Sequence, residues 1–251
     1  MILITGASSG IGKATAEIFA KQKCNLHLIA RREDRLKKLA GQLHQQFGIE
    51  VSYSALDLRS KTEIEKWANE HQALLPTIEV LINNAGLAKG SAPIHQGNPE
   101  DWEMMIQTNI MGLLRITRII LPHMVAKKSG HVVNLGSVAG HYTYPNGAVY
   151  CSSKFAVRAL NEGMRLDLNG TGVRVTAIDP GMVETEFSLV RLDDVEKAKA
   201  VYAGMKPLTA LDVAETITWC VNRPPHVNIQ EVIMYPTDQA SPMVVSRKPQ
   251  V

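Results

Sequence analysis

The sequence predicts an α/β protein built on a doubly wound parallel sheet of about seven strands. Three features point there. Short aliphatic runs alternate with longer helical patterns from end to end, which is the spacing of βαβ units. The runs show little polar alternation, as strands covered by helices on both faces require. The first run leads directly into a glycine-rich turn that opens a helix, the start of a right-handed crossover.

In chain order, the strand-like runs are Ile2–Thr5, Leu26–Ala30, Val51–Ala55, Val80–Asn83, 131–135, 173–178 and 231–235. Helical patterns between them cover residues 11–23, 35–47, 62–71, 102–125, 149–168 and 211–221. No repeat, low-complexity tract or linker interrupts the alternation, so residues 1–251 read as a single domain of the Rossmann type. A charged stretch, 179–207, reads as one long irregular region. The tail after Tyr235 carries three prolines and is expected to run over the surface or across a subunit.

Composition excludes several classes. With 45% apolar and 20% charged residues, the chain has material for a sizeable core. A net charge of +3, with Arg31-Arg32 and Lys127-Lys128 as isolated basic pairs, makes no nucleic-acid patch. Cys24, Cys151 and Cys220 are far apart and form no Cys-x-x-Cys. Neither a disulfide framework nor a metal site is expected, and the odd count suits a reducing compartment. No stretch reads as long and apolar enough to span a membrane. Met1-Ile2-Leu3-Ile4 reads as a strand and not as a leader. The expectation is a cytoplasmic protein with neither nucleic-acid nor membrane partner.

The turn after the first strand is Thr5-Gly6-Ala7-Ser8-Ser9-Gly10-Ile11-Gly12. Gly6, Gly10 and Gly12 permit a tight turn, close approach of backbone to a pyrophosphate, and close packing of helix on strand. Ser8, Ser9 and Ile11 complete a loop whose N–H groups face the phosphates at a helix N-terminus. A tight βα loop with no ligand has the same glycines; the strand before and the helix after favour a dinucleotide. No Gly-Lys-Ser/Thr follows, so this is not a nucleotide P-loop. At the end of the second strand, where a carboxylate would grip a ribose 2′-hydroxyl, stand Arg31 and Arg32. They can pair with a 2′-phosphate, which selects NADP; the plainer reading is two solvated residues ending a strand.

Later strand ends carry Asn83-Asn84-Ala85-Gly86, then Gly136-Ser137, then Tyr150-Cys151-Ser152-Ser153-Lys154 opening a helix. Tyr150 and Lys154 are four apart and share a helix face. A free phenol titrates near pH 10, and a neighbouring ammonium should lower that. Ser137 is placed to donate a hydrogen bond to a carbonyl oxygen gaining charge. By itself a Tyr-x-x-x-Lys occurs on any amphipathic helix, so its weight comes from its companions.

Together, residues 5–12, Asn83 to Gly86, Asn109, Ser137, the Tyr150/Lys154 pair and Pro180-Gly181 resemble the short-chain dehydrogenase/reductase family, in order and spacing, over nearly the whole chain. The resemblance implies Tyr150 as acid/base, Lys154 as the group that lowers its pKa and holds the nicotinamide ribose, and Ser137 as the donor to the substrate oxygen. It implies that Asn109 supports a water relay to Lys154, and that Asp57 and Leu58 contact the adenine. Asn84, Ala85 and Gly86 would lie beside the adenosine ribose. Pro180, Gly181, Val183 and Thr185 would cover the nicotinamide end, with a substrate lid over about 182–207.

Residues 101–106, 185–191 and 225–229 further resemble NADP-dependent 3-hydroxy acid dehydrogenases, which oxidise serine and allo-threonine. Two departures from that pattern lie near the pocket. Val183-Glu184-Thr185 is one residue shorter than the usual turn, and Cys151 replaces a small apolar residue. Arg191 in the lid is read either as the cation that meets a substrate carboxylate or as a solvated loop residue. His141 and Tyr144 either line the pocket or serve packing; Trp102, Met104 and Met105 read as helix packing. A general NADPH-dependent carbonyl or 3-oxoacyl reductase is the alternative enzyme, and a non-catalytic dinucleotide sensor is the alternative of another class. Ile116, Ile119, Ile120, Phe155, Val157 and Leu160 exceed what one sheet-facing stripe needs, and with the resemblance they imply a homotetramer.

Overall fold

The computed structural model describes residues 1–248. Seven parallel strands form one sheet in the order β3-β2-β1-β4-β5-β6-β9. They are β1 (Ile2–Thr5), β2 (Leu26–Ala30), β3 (Val51–Ala55), β4 (Val80–Asn83), β5 (Gly130–Leu135), β6 (Val173–Pro180) and β9 (Glu231–Met234). The chain winds outward from β1 through β2 to β3, then crosses back to pair β4 against β1 in the register Ile2↔Val80. That reversal opens a crevice beyond the carboxyl ends of β1 and β4, where open α/β sheets bind ligands.

Alternation along the strands divides the core into two layers. Ile2 and Ile4 face α1 (Gly10–Lys21), α2 (Glu33–Phe47) and α9 (Ala210–Val221), packing with Phe19, Leu36, Leu43, Val213 and Ile217. Leu3 and Leu81 face α3 (Lys61–Glu70) and α5 (Leu113–Lys127), packing with Ile64, Trp67, Ile116, Ile120 and Met124. The unbroken aliphatic runs of β1 and β4 are therefore buried on both faces. α6 (Ala148–Asp167) packs beside β5 and β6.

Four expectations change. The pattern read as one helix over 102–125 is three pieces: α4 (Pro99–Ile106), a wide π turn (Gln107–Gly112) and α5. The π turn brings Asn109 inward, and such bulges collect at functional positions. The whole run Pro99–Lys127 is 29 residues and, by length and composition, apolar enough to cross a membrane, which the sequence reading had excluded. It lies on the sheet as a core helix, with Ile116 and Ile120 fully buried. For the same reason Ile116, Ile120 and Val157 are not surplus outward residues; Val125, Phe155 and Leu166 are the exposed apolar ones on α5 and α6.

The stretch expected to be irregular is ordered. It holds β7 (Val183–Glu184), paired in parallel with β8 (Leu208–Thr209), and the short helices α7 (Phe187–Leu192) and α8 (Val195–Ala200). Asp194 caps α8, and the Tyr202 hydroxyl bonds Ser188 and the Val183 carbonyl. The C-terminal tail returns over this segment: Arg247 donates to the carbonyls of Val201 and Ala203, and Lys248 N to Gly204 O. Pro249, the last of the three tail prolines, lies outside the described residues.

Candidate active site

The crevice at the β1/β4 switch is a cleft of about 320 Å³. Gly6, Ser8, Ser9, Gly10, Ile11, Arg31, Arg32, Asp57, Leu58, Asn84, Ala85, Gly86, Ser137, Tyr150, Lys154, Pro180, Gly181, Val183 and Thr185 all line it. Asn109, Gly12 and Arg191 stand behind or beside it. The sequence reading missed Thr108, Glu186 and Phe187, which also face it.

Gly6 and Gly10 adopt φ of +66° and +52°, left-handed conformations that side chains rarely take. Gly12 serves the close packing of helix on strand expected of this turn. A Cβ there would fall 2.4 Å from Asn84 Nδ2 and 2.6 Å from Gly6 O, so this glycine lets α1 close on the loop. Asn84 in turn donates to Thr5 O at 2.8 Å and ties the ends of β4 and β1 together.

Arg32 and Arg31 diverge. The Arg32 guanidinium lies on the glycine loop, donating to Ser8 Oγ at 3.0 and 3.1 Å and to Ser9 Oγ at 2.6 Å. Its remaining nitrogen meets Glu186 at 2.8 Å, and Arg35 meets the other Glu186 oxygen at 2.7 Å. Hydrogen bonds from Arg32 and then Arg35 hold the Glu186 carboxyl below its usual range. The residue preceding α7 is thus tied to the phosphate end of the cleft, a contact of 154 positions in sequence. Arg31 is exposed at the rim. Asp57 is engaged by Arg59, whose hydrogen bond keeps that carboxyl low.

At the other end, the first turns of α6 place Tyr150 and Lys154 on its buried face. Lys154 Nζ donates to Leu135 O at 2.8 Å and stands 6.0 Å from the Tyr150 ring centroid. Ser137 Oγ accepts from Ala139 N at 3.1 Å at the end of β5. Asn109 accepts from Leu87 N, donates to Leu87 O and to Ser153 Oγ, and flanks Gly86 from the same side as Lys154. Burial pushes the Tyr150 phenol above its ordinary range and the Tyr144 hydroxyl adds to that, while Ser137 and Arg191 pull it down. Desolvation of the buried phenol is the largest influence, and Lys154 is not among the groups that offset it. Burial also lowers Lys154, to about 8.

Arg191, on α7, is placed against the tyrosines and not in solvent. Its guanidinium lies 5.9 Å from the Tyr150 ring and 5.6 Å from the Tyr144 ring, bonding the Tyr144 hydroxyl at 3.2 Å and Gly90 O at 3.3 Å. Phe187 packs edge-on to Tyr150 at 5.7 Å. Tyr144 packs against the cluster that holds Tyr150 and Cys151 and meets Arg191 through its hydroxyl, while His141 turns away toward Asp179. Met105 and Cys151 are buried packing residues, and the three cysteines are free.

The sequence pattern of short chain dehydrogenases matches residues 1–195. A serine 3-dehydrogenase of Agrobacterium fabrum is 45% identical over 95% of this chain and 94% of its own. A sulfoacetaldehyde reductase of Chromohalobacter salexigens is 43% identical over 96% and 95%. Among solved structures, the closed form of a serine dehydrogenase complexed with NADP+ superposes with a TM-score of 0.89 at 41% identity, covering 95% of this chain and 96% of that one.

Proposed function

The chain belongs to the short-chain dehydrogenase family, and from that premise we propose that it transfers a hydride between NADP and a small 3-hydroxy acid, at the 3-hydroxyl. The observation that carries the substrate class is the Arg191 guanidinium, 5.9 Å from the ring of Tyr150. A cation at that distance meets the far carboxylate of a three- or four-carbon acid whose hydroxyl sits at the phenol. Tyr144, hydrogen-bonded to Arg191, would share that carboxylate.

The cleft fits the cofactor: two glycines in left-handed conformations leave room for a pyrophosphate, and Arg32 stands on Ser8 and Ser9 where a 2′-phosphate would lie. When bound, NADP supplies the hydride exchange and, oxidised, a positive charge near the phenol. Tyr150 takes the proton from the substrate hydroxyl, or returns it to the carbonyl oxygen. Ser137 donates a hydrogen bond to the same oxygen as its charge develops. The Lys154 ammonium would favour the phenolate and hold the ribose, and Asn109, beside Gly86 with Lys154, would support a water relay to it. The convergence of these groups on one cleft supports an enzyme over a dinucleotide sensor, which has no use for them.

Initial rates with NADP and with NAD, across serine, allo-threonine, a hydroxyalkyl sulfonate and neutral secondary alcohols, test the reading. Carboxylate-bearing substrates should lead, and NADP should bind at least tenfold tighter than NAD, about 1.4 kcal/mol. Arg32→Ala should remove most of that cofactor preference. A preference for neutral alcohols would hand the assignment to the general carbonyl reductase; a preference for the sulfonate would keep the anion site and change the acid.

A cytoplasmic setting accords with the free cysteines. A homotetramer would cover Val125, Phe155 and Leu166, the apolar residues that α5 and α6 leave exposed. Light scattering at micromolar concentration should give the mass of four chains, and a monomer alone would refute the assembly.

A further inference from the structure

The turn that carries Ser137 is braced on the side away from the cleft. β5 ends at Leu135, and Gly136-Ser137 leads into a short 3-10 turn, Val138–Gly140, closed by His141. This turn supplies both the Leu135 carbonyl that receives Lys154 Nζ and the Ser137 hydroxyl, which lines the cleft with Tyr150. Asp179, the penultimate residue of β6, presses on it from behind. A Cβ on Gly136 would fall 1.8 Å from Asp179 Oδ1, and Gly136 N donates to Ile178 O at 2.9 Å.

Asp179 is only 1% exposed, where a carboxylate without a partner would be strongly disfavoured. Its partner is His141, whose Nε2 lies 2.7 Å from Asp179 Oδ2. An apolar side chain would fill the same space with no desolvation cost, so a buried carboxyl–imidazole pair there calls for a reason. The other charged groups facing it are Glu231 from β9, 3.7 Å from His141 Nε2, with Arg158 from α6 held to Glu231 at 3.3 Å, and Lys154 from α6.

We propose that His141 and Asp179 are a positioning pair: their hydrogen bond fixes the Leu135–Ser137 turn, and with it the carbonyl that holds Lys154 Nζ and the hydroxyl of Ser137. Neither residue touches substrate or cofactor; both act through Ser137 and Lys154. This rests on the reading of Ser137, Tyr150 and Lys154 as the reacting set. In support, burial lowers Lys154 and the Asp179 charge raises it again. Burial likewise raises the Asp179 carboxyl, which the His141 hydrogen bond and charge pull back.

The sign of the effect follows from electrostatics. Removing a negative charge lowers the pKa of every neighbouring acid, so Lys154 and Tyr150 both lose their protons at lower pH. In carbonyl reduction with NADPH, Asp179→Asn should therefore move the alkaline limb of kcat/KM down by about half a pH unit or more. His141→Leu should lower kcat about tenfold while the NADPH Kd, read from cofactor fluorescence, changes less than about twofold. His141→Gln, which keeps an N–H donor at similar reach, should regain most of that loss. Melting temperatures of all three variants separate a folding defect from a misplaced turn. An unmoved limb in Asp179→Asn, or His141→Gln no better than His141→Leu, overturns the proposal. Tyr150→Phe run alongside keeps the two readings apart. If it stays active, the reacting set is wrong; if it is inactive while Asp179→Asn keeps the wild-type limb, only the positioning pair falls.

Discussion

Tyr150→Phe is expected to cost turnover about 10²–10⁴-fold, the range of a positioned proton donor, while leaving cofactor binding nearly intact. Phenylalanine keeps the ring that packs edge-on to Phe187 at 5.7 Å, so the wall of the pocket survives. What it removes is the hydroxyl, held in a buried setting where a phenol resists ionising. That resistance makes neutral Tyr150 a competent donor for carbonyl reduction. For the oxidation direction the phenolate has to form, which requires the positive charges of Arg191 and the bound cofactor to offset desolvation. Oxidation should accordingly gain with rising pH more steeply than reduction. Stopped-flow or steady-state rates with a parallel NADPH titration check the result. More than about a hundredth of wild-type activity in the variant would remove Tyr150 from the acid/base role.

Arg191→Ala is expected to lower kcat/KM about 10- to 100-fold for substrates bearing a carboxylate, the worth of one charge-assisted hydrogen bond at a partly buried site. Neutral alcohols should be scarcely affected. The selectivity of the loss is the informative quantity, because Arg191 also has structural contacts with Gly90 O and the Tyr144 hydroxyl. Equal losses on acids and neutral alcohols would mark Arg191 as a brace for α7 and not as a substrate contact. Tyr144→Phe offers a finer comparison. It leaves the guanidinium in place and removes one hydroxyl, so it should produce a smaller loss of the same selectivity.

The fold was legible residue by residue because its period is local. Ile2–Thr5, Leu26–Ala30, Val51–Ala55 and Val80–Asn83 are strands at those same bounds: the first, second and fourth are short runs buried along their whole length, and the third, Val-Ser-Tyr-Ser-Ala, is a partly exposed edge strand of alternating character. The helix read over 102–125 was less legible. A π turn at Gln107–Gly112 keeps the apolar pattern while shifting its phase, and no single residue announces it. The segment read as irregular was misjudged because α7 and α8 are six residues each. Helices that short are held by tertiary contacts, such as Tyr202 on Ser188, and not by propensity.

The candidate site divides along the same line. Which chemical groups are present was determined by the sequence: a glycine turn after a strand, arginines where an acid would select NAD, and a Tyr/Lys pair four apart on one helix face. These are short-range patterns in which backbone geometry alone dictates what the residues can reach. Only the tertiary structure decided what each group is paired with. It joined Arg32 to Glu186, turned Arg191 onto Tyr144 and Tyr150, and buried Asp179 against His141 behind the Ser137 turn. Those pairs are separated by 38 to 154 positions in the chain. Their energies depend on burial and distance, which exist only once the sheet has closed and excluded water around them.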